Sequence, residues 1–160
     1  MPHRPDASRD IPDDGPRLPV LRALYRTFAA VDRVSARHID SLGLTQARFD
    51  VISTLGDTPG MTVKQLCDAA LITKGTLLHV LGSLEALELV ERGKGEHDQR
   101  QTIVSLTPKG QALYEETFLP HVGYMRQFFE QLTPQEQATL VFLLGRLEDV
   151  FTQSSKPAAP

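Results

Sequence analysis

Residues 73–110 read TKGTLLHVLGSLEALELVERGKGEHDQRQTIVSLTPKG, and this stretch decides the fold. Its apolar spacing predicts a helix, a strand, a polar hairpin tip, a second strand and the start of another helix. The tip carries Lys94, His97, Asp98 and Arg100. A helix that leads directly into a basic-tipped β-ribbon can contact two neighbouring grooves of DNA.

Two consecutive helices are predicted in the centre of the chain. The segments Thr62–Ala70 and Thr73–Glu88 are separated by a tight turn at Leu71 and Ile72, which is helix-turn-helix spacing. The second helix is therefore the candidate recognition helix. Its apolar residues share one face and are expected in the core: Leu77, Val80, Leu81, Leu84 and Leu87.

The opposite face of the second helix carries two glycines, Gly75 and Gly82. Glycine costs a helix roughly 1 kcal/mol relative to alanine, so this face favours a surface that DNA approaches closely; the alternative is that Gly82 is merely tolerated. Leu78 can contact a thymine methyl group, and His79 or Lys74 can contact guanine or phosphate. The candidate DNA-binding residues are Thr73, Lys74, Gly75, Thr76, Leu78, His79, Ser83, Lys94, His97, Asp98 and Arg100.

The ribbon is predicted from strands at residues 89–91 and 101–106. Asp98 and Arg100 are two residues apart, so on an extended strand they share one side and the carboxylate can hold the guanidinium. An arginine held in this way suits a narrow minor groove or phosphates. Across residues 73–110, however, five cationic side chains balance five anionic ones. Charge alone therefore leaves open a solvated hairpin with no DNA-binding role.

Five threonines occupy positions where helices are expected to begin. Each hydroxyl can accept a hydrogen bond from a backbone amide of the first helical turn, which contributes roughly 1 kcal/mol. Two of the five also have Gln or Glu three residues later, which predicts capping boxes. The residues are Thr45, Thr62, Thr73, Thr107 and Thr133, with Gln65 and Glu136 completing the boxes.

The predicted fold is mainly α with a small β-ribbon. Residues 1–16 are expected to be a disordered arm, 17–44 a first dimerisation helix, 45–106 a winged helix-turn-helix DNA-binding lobe, 107–153 C-terminal dimerisation helices and 154–160 a flexible tail. Long helices that cannot bury their apolar stripe on so small a lobe favour a twofold homodimer over a monomeric bundle. The candidate interface residues are Leu18, Leu21, Phe128, Leu140, Leu143, Leu147 and Phe151.

Composition sets the class of protein. The chain has 160 residues, 41% of them hydrophobic, and a net charge of −3, as expected for one soluble domain with a dimerisation element. No apolar run approaches the ~20 residues of a membrane span, and the N-terminal sequence has no apolar core of a signal peptide. Its single cysteine, Cys67, fits a reducing compartment. We therefore expect a cytoplasmic protein.

The segment ALELVERGKGEHDQRQTIVSLTPKG at residues 86–110 resembles the wing signature of the MarR (multiple antibiotic resistance regulator) family. That pattern joins Asp-x-Arg in the wing to Leu-Thr-x-x-Gly at the start of the next helix. The upstream segment, residues 44–87, resembles the three-helix part of the same family, and the whole resemblance covers roughly residues 17–153. The matching wing residues are Leu89, Val90, Arg92, Asp98, Arg100, Val104, Leu106, Thr107 and Gly110.

The resemblance implies a homodimeric winged helix-turn-helix regulator that binds a pseudopalindromic operator in double-stranded DNA. Thr73–Glu88 would enter the major groove and the wing tip the adjacent minor groove, and most such proteins repress transcription until a small ligand binds. This chain departs from the family at Leu78 and His79, where a polar residue and an arginine are common. It departs also at Glu88, where a turn glycine is usual.

The effector site is expected between the dimerisation helices and the DNA-binding lobe, where relatives bind small aromatic or phenolic acids. An arginine and a histidine beside aromatic rings can hold an aromatic carboxylate. The alternative is that the aromatic residues are core and the charged ones are surface. The candidate effector-binding residues are Tyr25, Phe28, Asp32, His38, Arg48 and Phe49.

Other chemistries have weaker support in the sequence. The five histidines show no paired ligand spacing, so neither a metal site nor a cofactor is expected. No nucleophile–base constellation or nucleotide-binding loop indicates an enzyme. Cys67 is interpreted as a packed, unreactive residue in preference to a redox sensor. A winged-helix module that binds protein instead of DNA remains the alternative function.

Overall fold

The computed structural model describes residues 18–94 and 101–154. Within these residues the chain is mostly helical with a small antiparallel sheet, which confirms the predicted fold class. In chain order the elements are α1 (Pro19–Ser41), α2 (Gln46–Leu55), β1 (Met61–Thr62), α3 (Val63–Ala70), α4 (Lys74–Ala86), β2 (Val90–Lys94), β3 (Thr102–Leu106), α5 (Pro108–Phe129) and α6 (Pro134–Ser154). The expected N-terminal arm and most of the expected C-terminal tail lie outside the described residues.

All five predicted threonine caps are present. Each threonine hydroxyl accepts a hydrogen bond from the amide three residues later, at distances from 3.0 to 3.4 Å. Both capping boxes are complete, because Gln65 and Glu136 accept hydrogen bonds from the amides of Thr62 and Thr133. These caps fix where the helices begin, and thereby the start of the candidate recognition helix α4.

The sheet has three strands in the order β1-β3-β2, and β1 was not predicted. In it, Met61 pairs with Val104 and Thr62 pairs with Ile103. A two-residue strand carries no alternation by which a sequence could reveal it. Gly60 precedes it with φ +107°, and an added Cβ there would lie 2.8 Å from the Ile103 side chain.

The core lies almost entirely in the lobe formed by α2, α3, α4 and the sheet. Four of the five predicted core residues of α4 are buried there, but Leu87 is 43% exposed, so that prediction was wrong. The reason is that α4 ends at Ala86, and the chain then turns so that Leu89 and Val90 fill the core in its place.

The terminal helices α1 and α6 bury almost none of their residues, in contrast to the elements of the lobe. No residue of α6 is buried, and in α1 only Ile39 is buried. None of the described helices is long and apolar enough to cross a membrane.

Candidate nucleic-acid interface

The outer face of α4 is exposed and carries few side chains. A Cβ atom added at Gly75 or Gly82 would meet nothing within 4 Å. His79, between them, is exposed, and Leu78 is 41% exposed. The helix therefore offers a face on which two positions are open down to the backbone.

The N-terminal end of α4 is polar and positive. The Thr73 hydroxyl caps the helix and lies 2.9 Å from the Thr76 hydroxyl. Lys74 follows in the first turn and is exposed. Unpaired amides, the positive end of the helix dipole and a lysine together favour binding of a phosphate group.

Ser83 differs from the other candidate residues of α4. Its hydroxyl donates to the Val80 carbonyl oxygen at 2.7 Å and accepts from Nε of Arg48 at 3.2 Å. The side chain is half-buried against α2 and not on the open face. The same hydrogen bond places Arg48, a candidate effector residue, against the recognition helix.

The wing is anchored to α4 by an ion pair. Arg92 in β2 contacts both carboxylate oxygens of Glu85, with Nε 2.6 Å from Oε1 and an amino nitrogen 3.0 Å from Oε2. Such a two-point contact fixes direction as well as distance. Lys94 is exposed at the last described residue of β2, and the tip residues His97, Asp98 and Arg100 lie outside the described residues.

A second cluster joins α1, α2 and α5, and we call it the junction cluster: Ser35, His38, Phe49, His121 and Tyr124. The Nδ1 atoms of His38 and His121 are 3.1 Å apart, and Nε2 of His121 is 3.2 Å from the Ser35 hydroxyl. The Tyr124 ring stacks on the His38 ring with 4.0 Å between their centroids. The Phe49 ring meets the His121 ring edge-on, with 4.7 Å between centroids.

The imidazole rings of His38 and His121 face each other through their Nδ1 atoms, which are within hydrogen-bond distance. One Nδ1 must donate and the other accept, so the contact is made when at most one of the two rings is protonated on both nitrogens. His121 is buried. Burial, and secondarily the neighbouring His38, hold the pKa of His121 below its usual value.

Comparison with known proteins identifies the family. Residues 42–101 match the MarR family. The homoprotocatechuate degradative operon repressor of Escherichia coli is 33% identical over 131 residues, which span 82% of this chain and 86% of that protein.

The chain belongs to the MarR family.

MarR-family proteins are DNA-binding transcription regulators with a winged-helix fold. Multiple antibiotic resistance protein MarR of Salmonella typhimurium is 27% identical over 81% of this chain and 91% of its own length. A solved structure concerns regulation of the DNA binding of Bordetella bronchiseptica BpsR by 6-hydroxynicotinic acid. It has 29% identity and a TM-score of 0.71 over 81% of this chain and 98% of that chain.

The MarR-type wing motif has a physical explanation in this chain. A Cβ atom added at Gly110 would lie 1.9 Å from the carbonyl oxygen of Leu89, so only glycine fits there. Glu88 stands at the turn position where the family usually has glycine, and its φ of +59° is the left-handed conformation that glycine favours. The Thr107 hydroxyl holds that turn by donating to the carbonyl oxygen of Glu88 at 2.6 Å.

The candidate effector residues of this MarR-family chain do not form one group. His38 and Phe49 meet in the junction cluster, whereas Arg48 contacts Ser83 on α4. The other three, Tyr25, Phe28 and Asp32, are exposed on α1. The sequence did not indicate that His121, Ser35 and Tyr124 meet these two residues, although His121 follows the buried Tyr114 by seven residues and thus lies on the same helical face.

A groove of about 720 Å³ lies beside the N-terminal end of α4. Lys64 and Lys74 line it together with the half-buried Cys67 and with Leu78. Its two lysines thus lie beside the N-terminal end of the candidate recognition helix. Among residues 18–94 and 101–154, no three His, Cys, Asp or Glu residues are placed to hold a metal ion.

Proposed function

We propose that this chain is a homodimeric, sequence-specific DNA-binding transcription regulator. The observation that carries the proposal is the open outer face of α4, with bare backbone at Gly75 and Gly82, beside a wing that Arg92 anchors to the same helix. Helix α4 enters the major groove, and the wing tip with Arg100 enters the neighbouring minor groove.

The homodimer is supported by the apolar surface of the terminal helices. Leu18 and Phe151 are each more than 60% exposed in the single chain, and Leu143 is 54% exposed. Apolar surface of this extent is typical of an interface with another protein chain. A twofold dimer presents two α4 helices to one face of DNA, so the operator is pseudopalindromic with half-sites about 10 bp apart.

The regulator acts as a repressor that a small ligand releases from DNA, and an aromatic carboxylic acid is the candidate ligand class. Support comes from the related BpsR, whose DNA binding is regulated by 6-hydroxynicotinic acid. In this chain the junction cluster combines imidazole and hydroxyl groups with aromatic rings between the terminal helices and the lobe. These are the groups that fix the orientation of an aromatic acid.

A DNA titration tests the proposal. The protein is titrated against the DNA upstream of its own gene at low salt and then at rising salt, with Arg100→Ala in parallel. The wild type is expected to bind with a steep salt dependence, and loss of one phosphate contact lowers the slope by about one. Absence of binding to any duplex at low salt contradicts the proposal. If the salt dependence of DNA affinity is the same in the variant as in the wild type, Arg100 does not contact the DNA.

The ligand class is tested by a thermal-shift screen with aromatic carboxylic acids. A ligand that binds the folded dimer raises its melting temperature, since it stabilises only the folded state. A hit is then added to the DNA complex, where it is expected to release the protein. If no aromatic acid changes the melting temperature, the proposed ligand class is wrong, whereas the proposed DNA binding is unaffected.

A further inference from the structure

The turn between α4 and β2 is held by the start of α5. Nζ of Lys109 donates to the carbonyl oxygen of Leu87 at 2.8 Å. The Thr107 hydroxyl donates to the carbonyl oxygen of Glu88 at 2.6 Å, and the Thr107 amide donates to that of Leu89 at 3.1 Å. Three successive carbonyl groups at the end of the recognition helix thus accept hydrogen bonds from one short segment.

We propose that Lys109 is a positioning residue for DNA recognition, an inference that rests on the DNA-binding function proposed above. Its ammonium group fastens the C-terminal end of α4 to the first turn of α5. This contact sets the tilt at which the N-terminal half of α4 meets the DNA.

The contact suits the chemistry of a helix end. The last carbonyl groups of a helix have no partner within the helix, and they form the negative end of its dipole. A lysine ammonium that donates to one of them makes a charge-assisted hydrogen bond. The carboxylate of Glu88 is farther from Nζ, at 4.0 Å, and both side chains are largely exposed, so that ion pair is the weaker interaction.

The surrounding backbone leaves little freedom for another arrangement. Gly110 packs directly on the carbonyl group of Leu89, and Glu88 adopts a left-handed conformation. Near the same end of α4, Arg92 of β2 holds Glu85. The C-terminal end of α4 is therefore fastened to the wing through Glu85, and to the start of α5 through Thr107 and Lys109.

Because α4 is long, a small tilt at its C-terminal end displaces its N-terminal residues. Helix α4 has 13 residues and is therefore about 20 Å long. A tilt of about 3° at its C-terminal end moves its first residues by about 1 Å, which is enough to disturb hydrogen bonds to base edges. Lys74 and Gly75 lie at that moving end, whereas Lys109 lies at the fixed end.

The test separates positioning from direct contact by salt dependence. DNA affinity is measured over a range of salt concentrations for the full-length wild type, Lys109→Met, Lys109→Arg and Lys94→Met. Lys109→Met is expected to weaken binding about fivefold without a change in the salt slope, since no phosphate contact is lost. Lys109→Arg restores most of the affinity because a guanidinium can donate to the same carbonyl oxygen. Lys94→Met, the control, lowers the slope by about one.

Two outcomes overturn the proposal. One is a slope for Lys109→Met that falls by about one, which makes Lys109 a phosphate contact. The other is unchanged affinity, which makes the hydrogen bond irrelevant to DNA binding.

Amide hydrogen exchange without DNA distinguishes a failed inference from a failed function. The amides of Glu88 and Leu89 donate to the carbonyl oxygens of Glu85 and Leu84 at 2.9 Å. Lys109→Met is expected to speed their exchange several-fold while the buried Leu66 stays protected. Equal acceleration at all three amides indicates global destabilisation and overturns the proposal. If the wild type binds no DNA, the proposed function fails, and the exchange result still tests the contact.

Discussion

The winged-helix lobe buries its apolar side chains within the single chain, whereas the terminal helices leave most of theirs exposed. Within the lobe, Leu66, Leu77, Leu81 and Leu84 are fully buried by elements of the same chain. In α6, by contrast, no residue is buried, and large apolar side chains remain exposed along its length. The lobe therefore carries its own core, whereas the exposed apolar faces of the terminal helices are where we propose that a second copy of the chain packs.

The largest effect is expected from a charge on the exposed face of α6. Leu143→Glu places a carboxylate in the proposed interface of both copies, where burial of an unpaired charge costs several kcal/mol. We expect a monomer at micromolar concentration in analytical ultracentrifugation, and loss of operator binding. Val141→Glu is the matched control, because Val141 is 71% exposed and lies about 200° around the helix. A dimeric Leu143→Glu protein, or a monomeric Val141→Glu protein, shows that the interface is elsewhere.

Core truncation in the lobe comes next. Leu81→Ala is expected to lower the free energy of unfolding by about 2–5 kcal/mol, because it leaves a cavity in a fully buried site. Urea denaturation measures the change. Leu87→Ala should cost under ~1 kcal/mol, since Leu87 is 43% exposed. Equal losses in the two variants contradict the placement of the core.

Substitution of two glycines, Gly82 in α4 and Gly110 in α5, distinguishes effects on stability from effects on DNA binding. Gly82→Ala is expected to raise the free energy of unfolding by roughly 1 kcal/mol, since its Cβ meets open space. If DNA approaches this face closely, the same change weakens operator binding. A more stable protein with unaltered affinity favours the view that Gly82 is merely tolerated. Gly110→Ala, in contrast, is expected to destabilise the fold, because its Cβ would overlap the carbonyl group of Leu89.

The smallest effect is expected from pH at the junction cluster. The pKa of His121 is lowered in the folded protein, mainly by burial, so the folded state binds fewer protons than the unfolded state. Stability is therefore fully present above the ordinary histidine pKa of about 6.5 and falls as the pH drops below it. His121→Gln should flatten the dependence of the unfolding free energy on pH below about 6.5. If the unfolding free energy of this variant changes with pH as steeply as that of the wild type, other titrating groups cause the pH dependence.

What the sequence could predict follows the range of the interactions involved. The threonine caps were predictable because each involves residues three apart, and the wing because its strands adjoin. The junction pair of His38 and His121 was not, since the two are 83 residues apart in sequence and meet only after α1 and α5 pack. Nor does a single sequence reveal the hydrogen bond between Arg48 of α2 and Ser83 of α4, which are 35 residues apart.

The boundary of α4 shows the same limit on a smaller scale. Apolar spacing continues through Leu87, so periodicity extends the helix to Glu88. The chain instead turns at Glu88, where the hydrogen bond from Thr107 stabilises a left-handed conformation that is unfavourable for a residue with a side chain. A contact with a residue 19 positions away thus accompanies the end of the helix, which periodicity within α4 does not indicate.

We propose that two copies of the chain place two α4 helices on one duplex. Hydroxyl-radical footprinting of DNA upstream of the gene, combined with the binding stoichiometry, tests it most directly. We expect two chains per site and two protected half-sites about 10 bp apart on one face of the DNA. One chain per site, or protection without paired half-sites, contradicts it.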